Sequence, residues 1–134
     1  MGFGVLLNDK DSRQAVINFN QPKHKQKGVK DFPCTETLTF LIRDNKLEVI
    51  NKMRSNDLIY GFSYNIPWFS YLQGRMLGDL SNKKHSSLSR GEMYHQPTSL
   101  HVYERHFDMI ENVVKEYEKG FCMSKLLSDV VRVD

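Results

Sequence analysis

The sequence predicts an α+β fold, because a β-hairpin is followed by a helix, a further strand and a second helix. Residues 35–42 are rich in β-branched side chains and partly alternate, and residues 47–54 form the returning strand. Amphipathic patterns follow after residue 65 and from residue 107 to residue 120. With 40% hydrophobic and 26% charged residues, we expect residues 1–134 to form a single domain around one modest core.

The amino-terminal part is expected to contain one strand between irregular segments. Residues 1–10 have the character of the end of a longer element and carry no basic leader or small-residue cleavage site, so we do not expect a signal peptide. Residues 14–19 favour a strand, whereas Gln, Pro, Lys and Gly dominate residues 20–33 and predict a loop. The lysines of this loop occupy positions 23, 25, 27 and 30. They indicate either a solvated loop or an anion-attracting surface near a phosphate site.

The hairpin turn and the helix after it have recognisable signals. Asp44 and Asn45 occupy the turn at residues 43–46 and tolerate the positive φ of a tight hairpin. After a short apolar piece at residues 58–62, the helix is expected to begin at residues 65–67, with proline in its first turn. Its core-facing stripe comprises Phe69, Leu72, Met76 and Leu80.

The carboxyl-terminal part is expected to pass from a loop to a strand and then to a second helix. Residues 81–91 are polar and predict a loop, and residues 99–103 alternate as a strand does. The second helix is expected to end near Gly120. The sequence after that glycine does not distinguish a helix from an extended chain. The apolar face of the second helix comprises Phe107, Ile110, Val113, Val114 and Tyr117.

Charge and cysteine content bear on the class of function. The net charge of +3 is too small to indicate nucleic-acid binding, and the apolar stretches are too short to cross a bilayer. The two cysteines, Cys34 and Cys122, form no Cys-x-x-Cys pair and no cluster with zinc spacing, which favours a cytoplasmic protein without a metal. The apolar neighbours of Cys122 indicate a packing role for that residue.

Three groups of polar residues could carry chemistry. Cys34 opens the first hairpin strand and is either a small buried residue or a nucleophile. Residues 54–57, Arg-Ser-Asn-Asp, follow the second strand and either suit an oxyanion such as phosphate or form a turn with an Asx cap. His101 and Tyr103 lie two apart on the expected strand and would share one face, as an interior pair or as ligands of a sugar.

Taken together, these residues resemble the thymidylate synthase family, which includes deoxycytidylate hydroxymethylase. Arg54 and Asn65 follow Cys34 at intervals of 20 and 31 residues, as expected for the family. The matching motifs are Pro33-Cys34, Arg54-Ser55-Asn56-Asp57, Asn65, Ser99-Leu100-His101-Val102-Tyr103 and, before them, Asp11-Ser12-Arg13. The resemblance implies a mixed sheet with flanking helices and one sheet face at a dimer interface.

The resemblance implies that Cys34, Arg54 and Asp57 are the catalytic residues. Cys34 is the thiolate that adds to carbon 6 of the base, and Arg54 lies near both that thiol and the phosphate, where a cation favours a thiolate. Ser55 is a further phosphate donor. Asp57 helps to hold the cosubstrate, 5,10-methylenetetrahydrofolate, and the water ordered around it. The implied reaction transfers one carbon to carbon 5 of dUMP and gives dTMP.

The nucleotide is assigned by the same resemblance to Arg13, Arg54, Ser55, Asn65, His101 and Tyr103. Arg13 reaches the phosphate of the other subunit, which implies a homodimer, and His101 and Tyr103 bind the deoxyribose hydroxyl. The amide of Asn65 matches the carbonyl and ring N–H of uracil, although it could also cap the helix at residue 67. The deoxycytidylate-specific relative has an aspartate at this place, so we expect dUMP as the substrate.

Several features leave the product and the activity open. Thr35 follows the cysteine where common synthases have histidine, and residues 51–57 and 99–107 are closer to the phage hydroxymethylase. A tail of 31 residues after Tyr103 is shorter than in typical synthases and would admit water to a methylene intermediate, so dUMP hydroxymethylation is an alternative. Family members carry a longer amino-terminal portion, and Gln14 replaces one arginine of the usual pair. An inactive nucleotide-binding fragment or paralogue is therefore a second alternative.

Overall fold

The computed structural model describes residues 2–29 and 31–120, and it divides into two compact units. The first unit ends at His101, and the second begins at Val102. The described α-helices are α1 (Gly2–Asn8), α2 (Ser63–Lys83) and α3 (Phe107–Glu118), of which α3 belongs to the second unit. The described strands are β1 (Val16–Asn18), β2 (Thr35–Arg43), β3 (Lys46–Met53), β4 (Asn56–Asp57), β5 (Ser89–Pro97) and β6 (Leu100–His101).

The first unit is built on a four-stranded sheet in the order β1-β2-β3-β5. The pairs β1–β2 and β2–β3 are antiparallel, whereas β5 lies parallel to β3. A parallel pair requires a crossover connection, which α2 supplies. β4 and β6 form a separate parallel pair. The sheet is mixed and contacts both α1 and α2, which confirms the α+β prediction.

The hydrophobic core lies where α2 packs on the hairpin. The inward-facing hairpin residues are Leu38, Phe40 and Ile42 on β2 and Leu47, Val49 and Met53 on β3, all of them buried. The predicted stripe of α2 is confirmed, because Phe69 and Leu80 are buried and Leu72 and Met76 pack against the core. Burial of each large apolar side chain contributes about 1.5–3 kcal/mol, so this alternation fixes which face of the hairpin turns inward.

The hairpin turn has the conformation that its residues predict. Asp44 and Asn45 have φ values of 49° and 59°, both in the left-handed region. The side-chain amide of Asn45 donates to the carbonyl oxygen of Ser87, and the backbone N–H of Ser89 donates to the carbonyl oxygen of Asn45 at 3.0 Å. The turn is therefore tied to the segment that leads into β5.

A buried glutamine of α2 closes an irregularity between β3 and β5. The register of this pair shifts between Leu47 and Val49. Gln73 is 2% exposed, and its Nε2 donates to the carbonyl oxygens of Leu47 (2.8 Å) and Gly91 (3.0 Å). Its Oε1 accepts from Nε of Arg90 at 2.9 Å. The glutamine thus provides partners for carbonyls at a place where the strand ladder is irregular.

The prediction of a loop at residues 81–91 is wrong at both ends. α2 continues to Lys83 and β5 begins at Ser89, so only residues 84–88 lie outside helix and strand. Along β5 the residues alternate between exposed and half-buried, as on an edge strand with one covered face. Because glycine and histidine occupy two of the half-buried positions, the strand lacks the apolar alternation by which strands are recognised.

The predicted start of α2 at residues 65–67 is also wrong. The helix begins at Ser63 and continues directly from a π-helical turn at Leu58–Phe62, so the proline lies inside it. The carboxylate of Asp57 caps that turn by accepting two backbone N–H groups, which starts the helical run earlier than the sequence pattern indicated. Asn65 is therefore not the helix cap, the alternative that the sequence left open.

Near the start of the second unit, a short 3-10 turn, Glu104–His106, leads into α3. Tyr103 is the N-cap residue of that turn and lies outside β6, so the prediction that His101 and Tyr103 share a strand face is wrong. The second amphipathic helix is confirmed, and Gly120 follows it with a φ of 81°. Cys122 lies outside the described residues. None of the helices in the described ranges combines the length and apolar content needed to cross a membrane.

Candidate active site

The hairpin brings Cys34 and Arg54 together at one end of the sheet. Cys34 immediately precedes β2 and Arg54 immediately follows β3, and the register places Thr35 opposite Met53. The backbone N–H of Arg54 donates to the carbonyl oxygen of Cys34 at 2.9 Å, and the Cys34 side chain is exposed. The hairpin pairing thus makes an exposed cysteine and an arginine neighbours along the backbone.

The guanidinium of Arg54 is oriented by the segment before the cysteine. Its Nη2 donates to the carbonyl oxygen of Phe32 at 2.9 Å, and its Cζ lies 4.1 Å from the centre of the Phe32 ring. Its Nε is buried and makes no hydrogen bond within the described part of the chain. Ser55, the next residue, is half-buried. This orientation leaves guanidinium donors for an oxyanion, and the phosphate role of Arg54 and Ser55 stays a prediction.

Asp57 and His101 lie side by side on the two-stranded ladder of β4 and β6. The Asp57 carboxylate accepts from the backbone N–H groups of Ile59 (3.1 Å) and Tyr60 (3.2 Å). The cap that the sequence offered as an alternative for this segment is therefore present, and it holds the carboxylate in a fixed orientation. Asp57 is half-buried, so the cap does not remove it from the surface.

Asn65 projects from α2 toward the strand ends. Its Nδ2 donates to Oδ1 of Asn56 at 3.1 Å and lies 3.7 Å from the sulfur of Met53. Nδ2 of Asn56 is 2.8 Å from Nε2 of His95, whose Nδ1 is 3.1 Å from Oδ1 of Asn51. Burial lowers the pKa of His95 below its ordinary value, which favours the neutral ring. Four polar side chains from four elements thus form one connected network.

Sequence reasoning did not single out His95 or Asn51 as site residues. Asn51 is fully buried on β3, at the inward position between Val49 and Met53. A lone amide in an otherwise apolar alternation was the signal that could have marked it. His95 offered no such signal, because β5 itself was not recognised as a strand.

Gly61 allows Asn56 to occupy its position under the π-helical turn. A Cβ at Gly61 would overlap Oδ1 of Asn56 and lie 3.4 Å from its Cγ. Asn56 is 3% exposed and hydrogen-bonded at both ends of its amide, so its side chain has little room to move away. The close approach therefore requires glycine at this place.

Arg13 lies far from Cys34 along the sheet. It is exposed and precedes β1, which is antiparallel to β2 with Val16 opposite Thr39. This register places Arg13 toward the hairpin-turn end of β2, near Ile42, whereas Cys34 precedes the opposite end. Eight residues of extended strand separate those two positions and span about 25 Å, so one subunit does not bring Arg13 to its own Cys34.

Tyr103 belongs to the second unit, where the guanidinium of Arg105 stacks on its ring with Cζ 4.4 Å from the centroid. Its side chain is 46% exposed. The structure therefore gives its local setting within that unit, and its predicted role toward the sugar stays a prediction.

The chain belongs to the thymidylate synthase family, whose family model matches residues 4–132. The structure of thermostable thymidylate synthase A from Bacillus subtilis is similar with a TM-score of 0.69 at 23% identity, over 80% of this chain and 36% of that one. This likeness confirms the predicted thymidylate synthase-like fold.

The curated relatives include both hydroxymethyltransferases and thymidylate synthases. Deoxycytidylate 5-hydroxymethyltransferase of Enterobacteria phage T4 is 33% identical over 117 residues, which cover 84% of this chain and 48% of the relative. Deoxyuridylate hydroxymethyltransferase of Bacillus phage SP01 is 36% identical over 71% of this chain and 24% of the relative. Thymidylate synthase of Pasteurella multocida (strain Pm70) is 29% identical over 81% and 36%. The chain spans about half the length of the phage T4 relative, and less of the other two.

Proposed function

We propose that this chain carries the nucleophile and nucleotide-binding part of an enzyme that transfers one carbon from 5,10-methylenetetrahydrofolate to carbon 5 of dUMP, giving dTMP. The observation that carries the proposal is the pairing of Cys34 with Arg54 at the end of the hairpin, where the backbone of one bonds the backbone of the other. Family membership supports the reaction class, and the chemistry of the named side chains supports the individual roles.

In this proposal Cys34 starts the reaction as a covalent catalyst. Its Sγ bonds to carbon 6 of the uracil, and the electron pair of the 5,6 double bond makes carbon 5 the nucleophile. When bound, 5,10-methylenetetrahydrofolate supplies the one-carbon unit and, for a methyl product, the hydride. Carbon 5 then loses its proton, which passes to water, and the bond between Sγ and carbon 6 breaks with its electron pair on sulfur, which restores the thiolate.

The other residues bind and orient. Arg54 and Ser55 bind the phosphate, and the stacking of Arg54 on Phe32 keeps the guanidinium beside the cysteine segment. Asp57 is the residue that we assign to the folate, and its capped carboxylate suits that role because its orientation is fixed. His101, its ladder neighbour, is assigned to the deoxyribose hydroxyl together with Tyr103.

The position of Arg13 supports a homodimer with shared sites. Because Arg13 lies about 25 Å along the sheet from Cys34, it can serve a phosphate site only if that site belongs to another subunit. We therefore propose that a second copy supplies Arg13 to the site of Cys34 and Arg54, through an interface on the sheet.

The second candidate function is hydroxymethylation of the same nucleotide. The phage hydroxymethyltransferases, at 33% and 36% identity, are more similar to this chain than the Pasteurella synthase at 29%. The amide of Asn65 still favours a uracil base, which would give 5-hydroxymethyl-dUMP. The two candidates share every binding residue and differ in whether hydride or water reaches the transferred carbon.

Release of tritium from carbon-5-labelled dUMP tests the proposal. We expect release that depends on 5,10-methylenetetrahydrofolate and falls to background in Cys34→Ser, whereas Cys122→Ser, the matched control, retains it. Product chromatography then separates dTMP from the hydroxymethylated nucleotide. Absence of release by a protein that still binds dUMP would refute the enzymatic proposal and leave a nucleotide-binding protein.

Mixing two inactive variants tests the shared site. Arg13→Ala and Cys34→Ser remove residues that the proposal places on different subunits, so each mixed dimer keeps one intact site. Random exchange of subunits should restore about one quarter of the wild-type rate. If both variants are inactive alone and exchange subunits but their mixture stays inactive, Arg13 does not serve the site of the other subunit.

A further inference from the structure

The network that ends at Asn65 has one consistent direction of hydrogen bonding. Oδ1 of Asn56 accepts from Asn65, so the Nδ2 of Asn56 faces His95 and must donate to its Nε2. A ring nitrogen that accepts carries no proton, and the proton of a neutral His95 is then on Nδ1. Nδ1–H in turn donates to Oδ1 of Asn51. Every donor points from α2 toward β3.

Met53 selects this direction at the end where Asn65 lies. The amide atom of Asn65 that meets Asn56 also lies 3.7 Å from the sulfur of Met53. A thioether sulfur accepts hydrogen bonds and does not donate them, so it favours Nδ2 over Oδ1 at that place. Burial lowers the pKa of the half-buried His95, against which Phe62 packs in a T-shaped contact with ring centroids 5.5 Å apart, and this favours a neutral ring that can accept at one nitrogen.

The direction matters because uracil and cytosine present opposite patterns to an asparagine. Uracil offers a carbonyl and a ring N–H, whereas cytosine offers an amino group and a ring acceptor. An asparagine that can rotate its amide by 180° matches either base, and an asparagine held in one orientation matches only one. Holding Nδ2 of Asn65 at Asn56 and Met53 fixes the side on which its Oδ1 lies, so the two amide atoms cannot exchange places in front of the base.

We propose that Asn56, His95 and Asn51 are positioning residues that lock the amide of Asn65 in the orientation that pairs with uracil and excludes cytosine. The inference rests on the proposed function, in which Asn65 reads the base. In this proposal the selectivity for dUMP over dCMP depends on the hydrogen-bonded side chains of Asn56, His95 and Asn51 as well as on Asn65 itself. Gly61 contributes to the same positioning, because only glycine leaves space for the Asn56 amide.

The variant Asn51→Asp is the sharpest perturbation of this lock. A buried carboxylate beside Nδ1 favours the doubly protonated ring, whose Nε2–H would then face the Asn56 amide as a donor. Asn56 must turn its oxygen to His95, and Asn65 must turn its oxygen to Asn56. The pattern that Asn65 offers to the base is thereby inverted, toward cytosine. Asn51→Leu instead removes the anchor and lets both orientations form.

Calorimetric binding of dUMP and dCMP to the full chain tests the proposal. We expect the ratio of dUMP affinity to dCMP affinity to fall at least tenfold in Asn51→Asp and by a smaller factor in Asn51→Leu. His85→Gln is the matched control, since His85 is a half-buried histidine that contacts the carbonyl oxygen of Leu6 outside the network. Its ratio should equal that of the wild type.

Nitrogen-15 NMR of the His95 ring provides an independent measurement that needs no nucleotide. The wild type should show a neutral ring with the proton on Nδ1, and a proton on Nε2 would overturn the proposal even if the variants fail to fold. Binding of dUMP with an unchanged ratio in Asn51→Asp would refute the positioning role and leave the proposed function intact. A wild type that binds neither nucleotide would refute the proposed function, and with it this account of selectivity.

Discussion

Replacing Gln73 by leucine should destabilise the first unit strongly, although the two side chains have similar size. The amide of Gln73 donates to the backbone carbonyls of Leu47 and Gly91, with a longer contact of 3.4 Å to that of Glu92, and accepts from Arg90. Leucine can make none of these bonds. The carbonyls would stay buried beneath α2 at the shifted register of β3 and β5, where the strand ladder is irregular.

The magnitude follows from those two carbonyls. Each buried group left without a partner costs about 1–3 kcal/mol, which gives about 2–6 kcal/mol for the pair. Burial of the leucine side chain offsets part of this cost, so we expect a net loss of about 2–4 kcal/mol in the free energy of unfolding. With a urea slope of about 1.5 kcal/mol/M, the unfolding midpoint should fall by about 1–3 M.

Urea unfolding followed by circular dichroism measures this loss, with Gln96→Leu as the control. Gln96 is an exposed glutamine of β5, so its replacement should change the free energy of unfolding by less than about 0.5 kcal/mol. If Gln73→Leu changes stability no more than the control does, the amide does not serve the carbonyls as described. The explanation of the irregular register would then be wrong.

Three further predictions concern the site and the turn. Arg54→Lys should weaken dUMP binding about 10–100-fold in calorimetry, because an ammonium cannot bond both the Phe32 carbonyl and a phosphate in a forked geometry, whereas exposed Arg43→Lys should have little effect. The pKa of His95 is lowered from 6.5 in the folded chain, so below about pH 6.5 the unfolded chain binds a proton that the folded chain does not. The free energy of unfolding should therefore fall as the pH drops below about 6.5. In urea unfolding, His95→Gln should lose this part of the pH dependence. Asn45→Ala should cost about 1–2 kcal/mol in the same assay, because alanine disfavours a φ of 59°, and Asn45→Gly should cost less.

Most of the local structure could be predicted from the sequence. The hairpin of β2 and β3, its left-handed turn residues and the apolar stripe of α2 agree with the structure. The proximity of Cys34 and Arg54 also follows from the local sequence, because the two residues flank a hairpin whose turn fixes the register of its strands. The family motifs then supplied the chemistry that these two positions share.

The start of α2 and the strand β5 were not predictable in the same way. The helix begins early because Asp57 turns its carboxylate onto two backbone N–H groups, and the sequence favoured a later start at the proline. β5 has polar residues on its exposed face and Gly91 and His95 on its covered face, so no periodic apolar pattern marks it.

The sequence by itself determined the features whose signals lie within a few residues of one another, namely the hairpin, the apolar stripes of α2 and α3, and the family motifs. Only the tertiary structure decided the contacts of His95, which lies 39 residues from Asn56 and 44 from Asn51. These contacts depend on the parallel register of β5 against β3, two strands that are joined through α2 and both contact it. When two strands are joined by a long crossover, no local sequence pattern indicates which of their residues will be paired. A two-residue turn, in contrast, fixes the pairing of the two hairpin strands directly.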